Sequence, residues 1–272
     1  ILFWCWRDEV FGSESSGFGI VGADGLAEPR LAAMRKTAQV LKTHRDTIAS
    51  YTPHTPAVGV YFSPQSYYLH WNQQGDANLP QNALLGYTRA LLRNQIPYTI
   101  IEEEHLDSLD EIDVLFMPRA LVIDDEQAQE LAAWVEEGGT LVAESECGAF
   151  GRNGLYRYPE ERFLADLTGV SELGRRTLTG NSVTVTLEGE TLHLPAKQWL
   201  TPLTAGTGDA MAETTEGPLF LSVPVGEGRV IFCGGYLGDA YFAGSSSADS
   251  VYAPYSADFE RFIAGVVRSA GI

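Results

Sequence analysis

The chain has 272 residues, 44% of them hydrophobic, which furnishes one large core or two modest ones and excludes a disordered chain. Its 36 acidic and 18 basic residues give a net charge of −18 and a pI near 4.6, a balance that repels phosphate backbones and anionic lipid heads and argues against nucleic acid or a membrane surface as partner. No run approaches the roughly 18 apolar residues that span a bilayer.

Residues 1–6, ILFWCW, read as an aromatic-rich strand, followed by a polar loop and then by a helical pattern from Glu28 to about Thr47. Leu31, Met34, Ala38 and Leu41 are spaced there for one buried face. One strand–loop–helix unit cannot bury both its faces, so it must lean on the following domain or on chain outside this sequence. The sequence starts without Met and inside a strand-like run, the pattern of a piece of a longer protein. Three cysteines, Cys5, Cys147 and Cys233, are an odd count and read as free thiols in a reducing, cytoplasmic compartment.

A proline-punctuated linker at 51–56 precedes a strand at 57–63, a Tyr-, Trp- and amide-rich loop at 63–80 and a helix at 81–94. Strands at 98–101 and 112–117 flank an acidic connection. Asp124 with Gln127 three residues later has capping-box spacing, and Ala128, Leu131, Ala132 and Val135 then recur on one face of a helix that Gly138 and Gly139 end. A strand at 140–145 leads into a Glu-Cys-Gly turn. This order predicts an α/β fold, an open, mostly parallel, Rossmann- or flavodoxin-like three-layer sheet. Beyond Gly148 the spacing predicts a short helix at 159–167, hairpins over 182–194 and 219–233, loops at 201–217 and 244–253, and a closing helix at 256–269. Phe259, Phe262, Ile263, Val266 and Val267 would face inward from that last helix.

Cys147 at a strand-to-helix turn is a candidate nucleophile, since such a turn lifts a side chain above the sheet. A buried structural thiol is the other reading, because no histidine stands in a motif with it. Trp4, Trp6, Arg7 and Glu14 carry carbohydrate-site chemistry: aromatic faces stack on sugar rings while carboxylate and guanidinium groups bind hydroxyls. The plainer reading makes the tryptophans core and the charges surface. Gly17-x-Gly19-x-x-Gly22 neither follows a strand directly nor opens a helix, so it is not a dinucleotide site. The cluster Asp124-Asp125-Glu126 is explained by helix capping, and neither metal nor cofactor is indicated.

The segments Phe3-Trp4-Cys5-Trp6-Arg7, Phe11-Gly12-Ser13-Glu14, Asp24-Gly25 and Arg30 resemble the eighth strand, loop and helix of the (β/α)8 barrel in family 42 glycoside hydrolases, the retaining β-galactosidases. Asp113-Val-Leu-Phe-Met-Pro118 and Leu131-Ala-Ala-Trp-Val-Glu-Glu-Gly-Gly-Thr-Leu141 resemble that family's trimerisation domain, which has a class I glutamine-amidotransferase-like fold and generally no amidotransferase activity. The resemblance implies a barrel remnant over residues 1–50 and a trimerisation domain over 51–272. It places Glu14 and Trp6 on a galactose-binding edge and implies a homotrimer, with Tyr67 to Trp71 as a contact. Retaining hydrolysis needs two carboxyl groups about 5 Å apart. In that family both come from earlier barrel strands, so no catalytic residue is expected here. Ser145-Glu146-Cys147-Gly148-Ala149 resembles a nucleophile elbow stripped of both flanking glycines, making Cys147 its degenerate remnant. Two other functions stay open: a cysteine hydrolase using Cys147, and a non-catalytic sugar-binding module using Trp4, Trp6, Arg7 and Glu14.

Overall fold

The computed structural model describes residues 5–12, 18–22, 24–52, 55–243 and 256–272, and the chain divides into two compact units, Ile1–His54 and Thr55–Ile272. In the first unit, Arg7 and Val21 form an isolated parallel bridge, and the Asp8 carboxylate accepts the Gly19 amide at 2.6 Å. Two helices follow, α1 (Glu28–Thr43) and α2 (Arg45–Ser50). The expected buried face of α1 is not buried: Leu31, Met34 and Leu41 are half-buried and Ala38 is exposed. Most of the expected first strand, residues 1–4, lies outside the described residues.

The second unit is built on a seven-stranded sheet. Its parallel strands are β1 (Val58–Phe62), β2 (Thr99–Glu102), β3 (Val114–Met117) and β4 (Thr140–Ala143); the short apolar runs of β1, β3 and β4 suit strands covered on both faces, whereas β2 lies at the sheet edge and leaves Ile100 exposed. The C-terminal half adds four further short strands off the main register: β5 (Arg176–Thr177), paired with β8 (Trp199–Leu200), and β6 (Ser182–Leu187), paired with β7 (Glu190–Pro195). It also completes the main sheet with β9 (Asp209–Thr214), β10 (Gly217–Val225) and β11 (Gly228–Cys233). The order is β2-β1-β3-β4-β11-β10-β9. β11 runs parallel to β4, whereas β10 and β9 are antiparallel.

The period-two alternation of these strands sends side chains to two separate cores. Val58, Val60, Val114, Phe116, Val142 and Ile231 pack on one face, under α4 (Asn78–Arg93) and α8 (Ala257–Ser269). Tyr61, Leu115, Met117, Leu141, Ala143 and Phe232 pack on the other, under α5 (Asp125–Glu136) and α6 (Phe163–Thr168). The result is an open, mostly parallel three-layer α/β sheet. All five inward positions of α8 are buried. The α5 capping box forms as its spacing requires, with Asp124 Oδ1 accepting the Gln127 amide at 2.9 Å and Gln127 Oε1 accepting the Asp124 amide at 3.0 Å.

Two further expectations fail. The segment read as a loop at 63–80 contains α3 (Pro64–Gln74), capped by Ser63, whose hydroxyl accepts the Ser66 amide at 3.1 Å, and ended by Gly75 at φ 78°. Only Ser66 and His70 of that helix are buried, so it carries no apolar stripe for periodicity to detect. Likewise, the supposed loop at 201–217 contains β9, which lacks β-branched residues until Thr214 and owes its strand form to pairing with β10. The hairpin of β6 and β7 turns at Glu188 and Gly189, both at positive φ, as a two-residue loop demands. The expected loop at 244–253 lies outside the described residues.

Candidate functional site

At the C-terminal end of the parallel strands, where open α/β sheets present their ligand-binding loops, the turn after β4 gathers buried polar side chains from distant parts of the chain. Glu144 directly follows the strand. Its Oε1 accepts the amides of Leu237 and Gly238, each at 2.8 Å, and its Oε2 accepts the Arg119 amide at 3.2 Å. Burial raises its pKa while these amides hold it down. Through them one carboxylate ties the loop after β3 to the start of α7 (Gly238–Ala243).

The strained position of the elbow is Glu146, at φ 63°, rather than its neighbour Cys147. The Glu146 amide donates to Glu172 Oε1 at 2.8 Å, and that same oxygen accepts the Thr201 hydroxyl at 2.9 Å. Thr201 in turn lies 2.6 Å from the Ser145 hydroxyl. The Glu146 carboxylate is clasped by Arg175, with Nε at 2.8 Å and Nη2 at 3.0 Å, and accepts the Tyr236 hydroxyl. Arg162 pairs with Glu172, both buried. Arg119, also at positive φ, stacks 3.6 Å over the Tyr236 ring and reaches the fully buried Asp239 at 3.4 Å. Apart from the buried Arg119 Nε and Asp239 Oδ1, which have no hydrogen-bond partner among the described residues, these polar groups mostly answer one another, so the cluster resembles a scaffold more than a free nucleophile and base.

Cys147 lies beneath this layer, 4% exposed, in the core that includes Ile123 and Phe163. Burial, then the nearby Glu172 charge, pushes its thiol well above the ordinary range, which leaves almost no thiolate near neutral pH. No histidine partners it among the described residues. Iodoacetamide is therefore expected to leave Cys147 unlabelled in the native protein and to label it once urea unfolds the chain. Labelling of the folded protein at the rate of a free thiol would overturn this.

His70 on α3 is buried, and neither ring nitrogen has a hydrogen-bond partner among the described residues. Burial first, then the Arg119 charge, lowers its pKa from 6.5 to about 4. The unfolded chain takes up this proton at higher pH than the folded one, so stability falls as pH drops from 6.5 towards 4, by up to about 3 kcal/mol. Burial shifts Glu103, Glu144 and Glu172 upwards instead. Their contribution has the opposite sign: it is present at low pH and lost as pH rises through their folded values. His70→Leu removes the first effect alone, so its urea midpoint should fall less than that of the parent protein on acidification across this window. Parallel pH profiles would refute the assignment.

The sequence-predicted sugar residues are only partly brought together. Trp6 and Arg7 are adjacent and exposed in the first unit, while Trp4 and Glu14 lie outside the described residues. The elbow cluster escaped the sequence because its partners are scattered: Arg119, Glu144, Arg162, Glu172, Thr201 and Asp239 share no local motif. The one sequence signal was the polar Glu144-Ser145-Glu146 run directly after an apolar strand. Among the described residues, no group of His, Cys, Asp and Glu could hold a metal ion, and no helix is long and apolar enough to cross a membrane.

Comparison with known proteins agrees with this fold. The chain is similar to Gan42B, a GH42 beta-galactosidase from G. stearothermophilus, at 21% identity and a TM-score of 0.71 over 90% of this chain and 36% of that one. A beta-galactosidase from Bacillus circulans sp. alkalophilus gives 18% and 0.78 over 99% of this chain and 39% of that one. The exo-beta-1,4-mannosidase Op5Man5 from Opitutaceae bacterium strain TAV5 gives 17% and 0.66 over 96% and 45%. The chain thus spans less than half the length of these solved relatives, and at such identities the likeness is one of fold. No curated protein matches the chain. The sequence pattern of the beta-galactosidase trimerisation domain, however, matches residues 38–245, well over half of the chain, and the chain belongs to that glycoside hydrolase family 42 domain family.

Proposed function

We propose that this chain is the assembly portion of a β-galactosidase-like retaining glycoside hydrolase. In this reading residues 51–272 join three copies, and residues 1–50 are the terminal strand–loop–helix unit of a (β/α)8 barrel. Trp4, Trp6, Arg7 and Glu14 then shape the edge of a galactoside site whose two catalytic carboxylates lie on other barrel strands. The family match over residues 38–245 carries the proposal. The elbow supports it as well: a fold whose strand-end groups are engaged chiefly with each other is suited to holding a shape. Burial of Cys147 disfavours the rival cysteine hydrolase.

In this reading the protein sediments at three times the 29.6 kDa chain mass and releases no nitrophenol from a nitrophenyl β-galactoside by itself. A monomer at micromolar concentration would sink the assembly role. Turnover by the chain alone would sink the assignment of the catalytic carboxylates elsewhere.

A further inference from the structure

We propose that an open cleft above the elbow binds a neutral ligand carrying adjacent hydroxyl groups, a pyranose or related polyol, stacked against Tyr156. The cleft has a volume of about 410 Å³ and is lined by Glu146, Tyr156, Arg162, Glu172 and Arg175, with Thr201 at its base. That volume falls within the roughly 300–1,000 Å³ typical of small-molecule sites.

The floor sets the ligand's charge. Two carboxylates, Glu146 and Glu172, meet two guanidinium groups, Arg175 and Arg162. A phosphate would repel the first pair and a cation the second, whereas an uncharged ligand suffers neither cost. The same groups supply both halves of a diol clamp. A guanidinium carries five N–H donors in a planar fork, and Arg175 uses its Nε and one Nη2 bond on Glu146. Its other N–H groups have no partner among the described residues. Glu146 Oε1 accepts only the Arg175 Nε bond, and a carboxylate oxygen has room for a second. A donor and an acceptor fixed side by side match two neighbouring hydroxyls, one accepting and one donating.

The fork is held in place. Arg175 lies 3.8 Å over the Trp199 ring, so little rotamer freedom is lost on binding. The wall provides the apolar contact. Tyr156 is 48% exposed although its ring meets Phe150 at 5.4 Å and Tyr158 at 5.6 Å in T-shaped contacts, the Arg162 guanidinium lies over the ring 5.6 Å from its centre, and its hydroxyl accepts Arg162 Nη2 at 3.0 Å. A tyrosine braced by two aromatic neighbours, by the Arg162 guanidinium over its ring and through its hydroxyl, yet half open to solvent, is a fixed platform whose exposed part can meet the C–H face of a sugar ring.

Methyl β-galactopyranoside titrated against the whole chain tests this by saturation-transfer difference NMR, with cyclohexanol as the ring that lacks adjacent hydroxyls. The glycoside should bind in the millimolar range and cyclohexanol should not. Tyr156→Ala should weaken binding about tenfold, the loss of one aromatic contact. Arg175→Lys, which keeps the ion pair with Glu146 but removes the fork, should weaken it comparably and covers the case in which the tyrosine variant misfolds. Leu92→Ala, at an exposed position of α4 that does not line the cleft, should leave binding unchanged. Absence of saturation transfer, parent-like affinity in both the Tyr156 and the Arg175 variant, or loss of binding in Leu92→Ala would each overturn the proposal.

Discussion

Arg162→Ala is expected to lower the unfolding free energy of the 55–272 unit by about 3–5 kcal/mol, as removal of one member of a buried ion pair does. Arg162 and Glu172 are both buried. Without the guanidinium, Glu172 must either keep an uncompensated charge or take up a proton, and its pKa is already raised by burial. Protonation weakens the acceptor that holds the Glu146 amide and the Thr201 hydroxyl, so the damage spreads to the strained elbow. Urea denaturation followed by circular dichroism measures the loss. The double variant Arg162→Met with Glu172→Leu should recover only part of it, because the Glu146 amide then loses its acceptor inside the fold. A single-variant loss under about 1 kcal/mol, the scale of an exposed ion pair, would show that the elbow does not depend on this pair.

Tyr68→Glu with Trp71→Glu should convert the proposed trimer to monomer. These residues lie three apart on the outer face of α3, and each is 63% exposed. Large aromatic side chains concentrate at the centres of protein interfaces, and burying a carboxylate there without a partner costs several kcal/mol, so association should weaken more than about 100-fold. Sedimentation velocity at micromolar chain concentration reads the change. Retention of the parent mass would remove this helix face from the interface. Because Tyr68 and Trp71 are exposed and not among the buried residues of α3, the substitutions should leave thermal unfolding of the 55–272 unit nearly unmoved.

The parts of the fold that were legible in the sequence are those in which local chemistry and burial coincide. The Asp124–Gln127 capping box, the apolar runs of β1, β3 and β4, the Glu188-Gly189 turn and the inward face of α8 each combine a stop or start signal with a matching periodicity. Helix α3 lacked the second half of that pair: Ser63 and Pro64 mark a start, but its exposed Tyr68 and Trp71 and buried His70 invert the usual stripe. Strand β9 is fixed by its neighbour rather than by its own residues. For the elbow, the sequence drew attention to Cys147 because sulfur chemistry is conspicuous, whereas the backbone strain and the polar contacts fall on Glu146. Its clasp comes from Arg175, 29 residues on, and from Tyr236, 90 residues on, separations at which no spacing rule operates.

The position of β11 beside β4 also bears on how the protein is made. β4 is an interior strand, apolar on both faces, with β3 on one side and β11 on the other. A ribosome adding about 5–20 residues per second needs on the order of 5–18 s to travel from the end of β4 to the end of β11. Through that interval the nascent chain carries an open, hydrophobic strand edge, the kind that pairs with other chains, and the Glu144 carboxylate waits for the Leu237 and Gly238 amides that fix it. Slower codons between residues 144 and 228 would lengthen this exposure, and a chaperone that recognises extended apolar segments would find its binding site here.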